Sequence, residues 1–125
     1  MVDDPVPAEV REFVVRCIDS VAHLEALLLL RGPPQLAWDV PAVARRLYVG
    51  EGEAARLLGA LVSCELAVTD GSDFHYQPRD AEMTDLVDQL ARTYARSLVP
   101  VTQLIHERDT AIRKFADAFK IRKDK

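Results

Sequence analysis

Residues 39 to 66 contain two short helical patterns separated by a turn of three residues, and this arrangement restricts the fold more than any other part of the chain. Asp39 is a good N-cap, and Pro41 follows in the first turn, where its missing N–H costs nothing. The turn reads YVG, and a second helix is predicted from about Glu51 to Cys64 with Gly50 as its cap. Its apolar residues recur at helical spacing on one side: Ala54, Leu57, Leu58, Leu61 and Val62.

The sequence before these two helices predicts helix over about residues 8 to 30. Apolar residues recur there at spacings of three and four: Val10, Phe13, Val14, Cys17, Val21, Leu24, Leu27 and Leu28. Ser20 can cap a fresh start, so one long helix and two helices, divided near residue 20, are both open. RGPP at 31 to 34 then ends the helix with a glycine C-cap and two prolines.

The stretch LAVTDGSDFHYQ switches to period two, which predicts a hairpin of two strands. Leu66 and Val68 on one arm, and Phe74 and Tyr76 on the other, are expected to share a face. DGSD is the predicted turn between the arms.

The remainder, residues 80 to 125, predicts C-terminal helices. Asp80 is expected to cap a long helix that Pro100 kinks or interrupts. Its apolar stripe consists of Met83, Leu86, Val87, Leu90, Tyr94, Leu98 and Val101. A last helix is predicted from Asp109 or Thr110, with Ile112, Phe115, Ala116 and Phe119 on one side, and it ends in the basic tail KIRKDK.

The order of these elements over residues 21 to 78 resembles the winged-helix superfamily, most closely the small bacterial regulators of the MarR and PadR type. The matching positions are Leu24, Leu27, Leu28, Trp38, Val43, Leu47, Leu58, Leu61 and Leu66. The resemblance implies a mainly α fold with a β-hairpin wing, formed as a single domain over 1 to 125. Within residues 21 to 78, six residues are predicted to share one core: Leu24, Leu27, Leu47, Leu58, Leu61 and Val68. Helices at 8 to 20 and 80 to 125 would flank the winged-helix core and build a homodimer. It also implies a DNA-binding transcriptional regulator.

Four arginines are the candidate DNA contacts, namely Arg45, Arg46, Arg56 and Arg79. Only Arg56 lies on the outward side of the second helix, where it suits a guanine edge, and the others suit phosphates. Residues 39 to 66 nevertheless hold three basic against four acidic residues, and the turn TDGSD has two acids and no base. We therefore expect any DNA binding to depend on phosphate contacts and to weaken steeply with salt. Ordinary solvated arginines are the alternative interpretation.

The same outward side carries small residues at Gly52, Ala55, Gly59 and Ala60. Glycine inside a helix costs about 1 kcal/mol relative to alanine. Close approach of another backbone, within the domain or from a partner, would compensate for Gly59, and chance on an exposed face is the other possibility. This strip supports a second function hypothesis, a winged-helix protein–protein interaction module that does not read DNA.

Composition and motifs favour a non-enzymatic, cytoplasmic protein. The chain has 125 residues and a net charge of −4, enough for one domain with one core. Cys17 and Cys64 form no CxxC pair and are expected to be small thiols in a reducing compartment. The acidic start MVDDPVPAEV is not a signal peptide, and the longest apolar run, at 26 to 30, is too short to span a bilayer, so no membrane partner is expected.

No motif of the chain predicts catalysis or a cofactor. His23, His75 and His106 do not follow a metal-ligand spacing. GEGEAA suggests a phosphate-binding turn only superficially, because no lysine follows and two glutamates would repel phosphate. We therefore expect no catalytic residue, no metal and no cofactor.

Overall fold

The computed structural model describes residues 6 to 32 and 37 to 107, which are mainly helical with a small three-stranded antiparallel sheet. The elements in chain order are α1 (Ala8–Cys17), α2 (Val21–Arg31), β1 (Trp38–Asp39), α3 (Val40–Leu47), α4 (Glu51–Ser63), β2 (Ala67–Thr69), β3 (Asp73–Tyr76), α5 (Ala81–Arg96) and the helical residues 98 to 107, here α6. The predicted last helix and the tail KIRKDK lie outside the described residues.

The N-terminal pattern forms two helices, so the structure decides between the two alternatives that the sequence left open. Ser20 begins α2 as its N-cap, and its Oγ accepts a hydrogen bond of 3.0 Å from the N–H of His23. Gly32 caps the other end of α2 as predicted, but in an extended conformation with φ −66° rather than a left-handed one. The prolines at 33 and 34 lie outside the described residues.

The two central helices begin where the sequence places them. The Oδ1 of Asp39 accepts a hydrogen bond of 2.9 Å from the N–H of Ala42 and caps α3. Gly50 is the N-cap of α4. The predicted apolar side of α4 is buried at Ala54, Leu57, Leu58 and Leu61, while Val62 is half-buried.

The sheet has the strand order β1-β3-β2, so the hairpin gains a third strand from the segment around Trp38. Trp38 pairs with Phe74 across β1 and β3. In the hairpin, Ala67 pairs with Tyr76 and Thr69 pairs with Phe74.

The predicted face of the hairpin is wrong by one residue on its first arm. Val68 pairs with His75, and its side chain is 39% exposed, whereas Ala67 is buried. The turn explains the shift, because Asp70 N–H bonds to the carbonyl of Asp73 and leaves a loop of two residues. That loop pairs odd positions of β2 with even positions of β3, and opposed residues share a face.

Gly71 makes this tight turn possible, since its φ of +103° lies in a region that other residues rarely adopt. The Oδ1 of Asp70 accepts hydrogen bonds of 2.9 Å from the N–H groups of Ser72 and Asp73. These bonds hold the tip of the hairpin.

The long C-terminal pattern begins as predicted and is interrupted. Asp80 caps α5 by accepting a hydrogen bond of 2.9 Å from the N–H of Met83. The break falls at Ser97, three residues before Pro100, which lies in the first turn of α6, where proline is tolerated. The predicted stripe is therefore wrong at Leu98, which starts the new helix and is 54% exposed.

One core joins all these helices. The predicted core residues Leu24, Leu27, Leu58 and Leu61 are buried, Leu47 packs half-buried against them, and only Val68 of the predicted set is misplaced. Polar contacts also tie α2 to α5. The Arg31 guanidinium lies 2.9 Å from the Asp88 carboxylate, and the Tyr94 hydroxyl donates to Glu25 at 2.8 Å.

Within the two described ranges, no helix combines the length and the apolar character needed to cross a membrane.

Candidate functional site

The turn between α3 and α4 presents Tyr48, which is 94% exposed and is the most exposed large hydrophobic residue in the described part of the chain. Tyr48 is the C-cap of α3 and has a φ of +58°. A left-handed backbone is uncommon for residues other than glycine, and a bulky side chain gains nothing from it. The aromatic ring therefore contributes contact area to the surface and almost none to the core.

Two arginines, Arg45 and Arg46, precede this tyrosine in the last turn of α3, and their side chains differ in their contacts. The guanidinium carbon of Arg46 lies 5.6 Å from the centroid of the Trp38 ring, within the range of a cation–π contact. Arg45 is exposed, and no ion pair with the described residues engages it. Arg45, three residues before Tyr48 in the sequence, is thus available to a ligand.

Arg56, the predicted base-reading residue, is engaged within its own helix. Its Nε donates to Oε1 of Glu53 at 3.0 Å, and its Nη2 donates to Oε2 at 2.8 Å. Asp19 adds a second carboxylate 4.0 Å from Nη1. The hydrogen bonds with Glu53 raise the pKa of Arg56, and the bonds from Arg56 lower the pKa of the Glu53 carboxyl. The two charges cancel where DNA would approach.

Arg79, which follows the hairpin, is also paired. Its Nη1 donates to Glu65 Oε1 at 3.0 Å, and its Nε donates to Asp80 Oδ2 at 3.2 Å. The bond with Glu65, followed by that with Asp80, raises the pKa of Arg79. These two carboxylates reduce the positive charge that Arg79 offers to a phosphate.

The small-residue strip of α4 is open to solvent at Gly52, Ala55 and Gly59, whereas Ala60 is half-buried. A Cβ placed on Gly52 or Gly59 would meet nothing within 4 Å. Close approach inside the described chain therefore does not explain these glycines. Two explanations of these glycines remain: a partner covers the strip, or the small residues occur there by chance.

The tip of the hairpin is negatively charged. Asp70 and Asp73 lie there, and hydrogen bonds from the N–H groups of Asp73 and Ser72 lower the pKa of the Asp70 carboxyl. This turn would repel phosphate groups. The described residues therefore offer a helix face whose arginine is paired, an acidic turn, one arginine without an ion pair and one exposed tyrosine.

Within the part of the chain that the structure describes, the cysteines and histidines do not come together in a metal-binding arrangement. Within the described residues Cys17 and Cys64 form no disulfide bond; both are half-buried, and the Cys64 thiol lies 3.7 Å from the carbonyl oxygen of Cys17. His75 and His106 are exposed, and His23 is buried beside Asp19. Among residues 6 to 32 and 37 to 107, no group of three His, Cys, Asp or Glu side chains could hold a metal ion.

Comparisons with known proteins found no similarity that could assign a function. No protein-family model matches the chain, no curated protein is significantly similar in sequence, and no solved structure is significantly similar in fold. The functional argument therefore rests on the contacts of the described residues.

Sequence reasoning missed Tyr48, which it treated only as part of a turn. One signal was present, because a turn of three residues between two capped helices requires an unusual backbone angle, and Gly50 is already the cap of α4. The exposure of the ring depends on the packing of both helices. It could not be derived from local sequence.

Proposed function

We propose that this protein is a winged-helix interaction module that docks a protein partner through the turn between α3 and α4. The binding surface, called here the Tyr48 surface, consists of Arg45, Tyr48, Gly52 and Ala55. The element order α2, β1, α3, α4, β2, β3 supports the winged-helix assignment, since it follows the order expected for that superfamily.

The observation that carries the proposal is Tyr48 itself. Its backbone conformation would favour glycine or asparagine, and its ring lies almost wholly in solvent. Tyrosine and arginine are the residue types enriched in the energetic centres of protein interfaces. Arg45 lies three residues before Tyr48 and keeps its charge unpaired within the described chain.

The small residues of α4 fit a protein partner better than DNA. Exposed glycine and alanine allow another helix or strand to approach closely, but they offer no hydrogen bond to a base edge. A helix face on which Arg56 is neutralised by Glu53 provides little attraction to phosphates.

A DNA-binding regulator, acting as a dimer with mostly phosphate contacts, is the second candidate. The sequence ranks it first, and the pairing of Arg56 and Arg79 with carboxylates supports our placing it second. Arg45 is the observation in its favour, because it is exposed and unpaired within the described residues. A dimer would present two copies of it to one duplex.

Site-specific photocrosslinking in cells separates the two candidates. A benzophenone amino acid replaces Tyr48 in one variant and Ala95, an exposed residue of α5, in the matched control. We expect position 48 to capture one defined protein, and Arg45→Ala in the same chain to reduce the yield. Crosslinks to nucleic acid from position 48, or equal protein yields from both positions, would contradict the proposal.

Purified protein provides an independent arm. Titration with random-sequence duplex DNA should show weak binding at low salt and none at physiological salt, because phosphate contacts weaken steeply with salt. Tight binding that Arg45→Ala abolishes would support the DNA-binding candidate instead.

A further inference from the structure

Two cysteines that are distant in the sequence lie next to each other in the fold. Cys17 is the last residue of α1, and Cys64 is the C-cap of α4. The Cys64 thiol lies 3.7 Å from the carbonyl oxygen of Cys17. Because a carbonyl oxygen is fixed about 2.4 Å from its own Cα, the Cys64 sulfur is at most about 6 Å from the Cα of Cys17. Disulfide-bonded cysteines have Cα atoms about 4.4–6.8 Å apart, and the observed proximity is compatible with that range.

Both cysteines line one groove of about 440 Å³. Each is half-buried, so a small molecule in the groove can reach the sulfur while the chain stays folded. The lining also holds two basic and two acidic residues, namely Arg16, Arg79, Glu65 and Glu82. These formal charges balance, so the groove admits a small oxidant without selecting it by net charge.

We propose that Cys17 and Cys64 form a reversible disulfide bond that fastens the end of α1 to the end of α4. The oxidant is a low-molecular-weight disulfide such as oxidised glutathione. The thiolate of one cysteine attacks a sulfur of this reagent, forms a mixed disulfide and releases one glutathione thiolate, which takes up the cysteine proton. The second cysteine then attacks the protein sulfur of the mixed disulfide, and the second glutathione leaves with its proton. The two protein thiols thereby lose two electrons, and one oxidised glutathione is reduced to two thiols.

The bond would act on the turn between α1 and α2. This turn follows Cys17 directly and contains Asp19, whose carboxylate lies 4.0 Å from the guanidinium of Arg56 in α4. A covalent link at Cys17 holds the turn against α4 and keeps Asp19 beside Arg56, whereas reduction leaves this contact to noncovalent packing. The proposed disulfide is separate from the Tyr48 surface and does not depend on it.

The test uses the full reduced chain at micromolar concentration in buffers with a graded ratio of oxidised to reduced glutathione. After acid quenching and alkylation with N-ethylmaleimide in denaturant, the intact mass shows how many thiols remain. We expect a product with the mass of a single chain that carries neither N-ethylmaleimide nor glutathione and yields one crosslinked tryptic pair containing Cys17 and Cys64.

The fold should favour this bond. The equilibrium constant for closure should be at least about tenfold larger in native buffer than in denaturing urea, because the fold raises the effective concentration of one thiol at the other. By the same thermodynamic cycle, the oxidised chain should unfold at a higher urea concentration than the reduced chain.

A matched variant keeps two cysteines in a different arrangement. Val15→Cys combined with Cys17→Ser moves the thiol two residues along α1, to a position that is 47% exposed and on another side of the helix. This variant should form mixed disulfides with glutathione and little intramolecular disulfide, and Cys64→Ser should stop at a mixed disulfide on Cys17. Four results would overturn the proposal: equal closure in the matched variant, closure no stronger in native buffer than in urea, mixed disulfides alone in the wild type, or disulfide-linked dimers as its main product.

Discussion

The guanidinium of Arg56 and the carboxylate of Glu53 form a two-pronged ion pair across one turn of α4, with hydrogen bonds of 3.0 and 2.8 Å. Arg56 is the only basic residue between Glu51 and Ser63. The pair therefore occupies the one side chain of this helix that could read a base or contact a phosphate. If the outer face of α4 faced DNA, this pair would reduce the positive charge that it offers to phosphates.

Releasing Arg56 should increase DNA binding. Glu53→Gln removes the carboxylate and leaves one more cation available on each chain. The slope of the logarithm of the binding constant against the logarithm of salt concentration should steepen by about one for each added phosphate contact. Fluorescence anisotropy with a labelled random duplex, repeated over a salt series, measures this slope.

The double variant Glu53→Gln, Arg56→Ala is the control for that experiment and should return to the wild-type slope. Unchanged slopes in all three proteins would show that α4 does not face DNA. A loss of wild-type affinity in Arg56→Ala alone would show that DNA breaks the ion pair on binding.

The core predicts a large difference in stability between an alanine substitution in α4 and one in β2. Leu61 is fully buried, so Leu61→Ala should lower the free energy of unfolding by about 2–5 kcal/mol. Val68, expected from sequence to belong to the same core, is substantially exposed, and Val68→Ala should change stability by less than about 0.5 kcal/mol. Urea denaturation monitored by circular dichroism compares them, and similar losses would contradict the observed strand register.

The cap of α3 should contribute measurably to stability. Asp39→Ala removes the acceptor for the Ala42 N–H and should cost about 1 kcal/mol. Asp39→Asn keeps an acceptor and should recover most of that loss. If alanine and asparagine destabilise the protein equally, the side-chain bond is not what stabilises the start of α3.

Tyr94 should titrate late and make stability fall at alkaline pH. Burial, followed by its hydrogen bond to Glu25, raises the pKa of Tyr94 to about 12. The pKa of Tyr94 in the folded protein therefore exceeds the unfolded value of about 10. Its contribution to the free energy of unfolding is complete below pH 10 and disappears as the pH rises through about 12.

Ultraviolet absorbance of phenolate follows this titration. Burial also raises the pKa of Tyr76 to about 12, so both rings belong to the late phase. Tyr94→Phe should remove about half of that phase and, because the hydrogen bond is exposed, cost only about 0.5 kcal/mol at neutral pH. An unchanged late phase in Tyr94→Phe would refute the assignment.

Dimer formation, expected from sequence, has a specific candidate surface at the start of α6. Leu98 and Val99 are 54% and 59% exposed, and two adjacent apolar side chains in solvent favour an interface. We propose a two-fold dimer that covers them. Light scattering at micromolar concentration should report a dimer for the wild type and a monomer for Leu98→Glu, Val99→Glu.

A double substitution of exposed neighbours on another helix, Arg92→Glu with Ala95→Glu, is the matched control and should remain dimeric. A wild-type monomer under these conditions would contradict the dimer. A dimer that survives both pairs of substitutions would place the interface elsewhere.

Helix starts were predictable because their causes are local. Ser20, Asp39 and Asp80 each accept a hydrogen bond from an N–H only three residues later, so a short window of sequence contains both partners. Apolar spacing likewise identified the buried side of α4. The prediction of a hairpin around Gly71 was also correct, since the turn chemistry lies within four residues.

The side of the sheet to which each residue of the first arm points follows from the length of the turn rather than from the apolar pattern. A two-residue loop between Asp70 and Asp73 already requires Ala67, not Val68, to lie opposite Tyr76. The sequence LAV is apolar at every position and does not reveal the phase by itself. The pairing of β1 with β3 joins Trp38 to Phe74 across 36 positions, and no local pattern indicates it.

By itself, the sequence determined where the helices begin, which side of α4 is buried and where the chain turns, because these depend on residues a few positions apart. Only the tertiary structure decided that Tyr48 stands in solvent, that Arg79 is bound by Glu65 and that α2 is tied to α5 through Arg31 and Asp88. Partners distant along the chain meet only after the helices pack. The sequence shows the charge of an arginine and its position along the chain. Whether that arginine is available to a ligand depends on which carboxylates lie next to it in the folded protein.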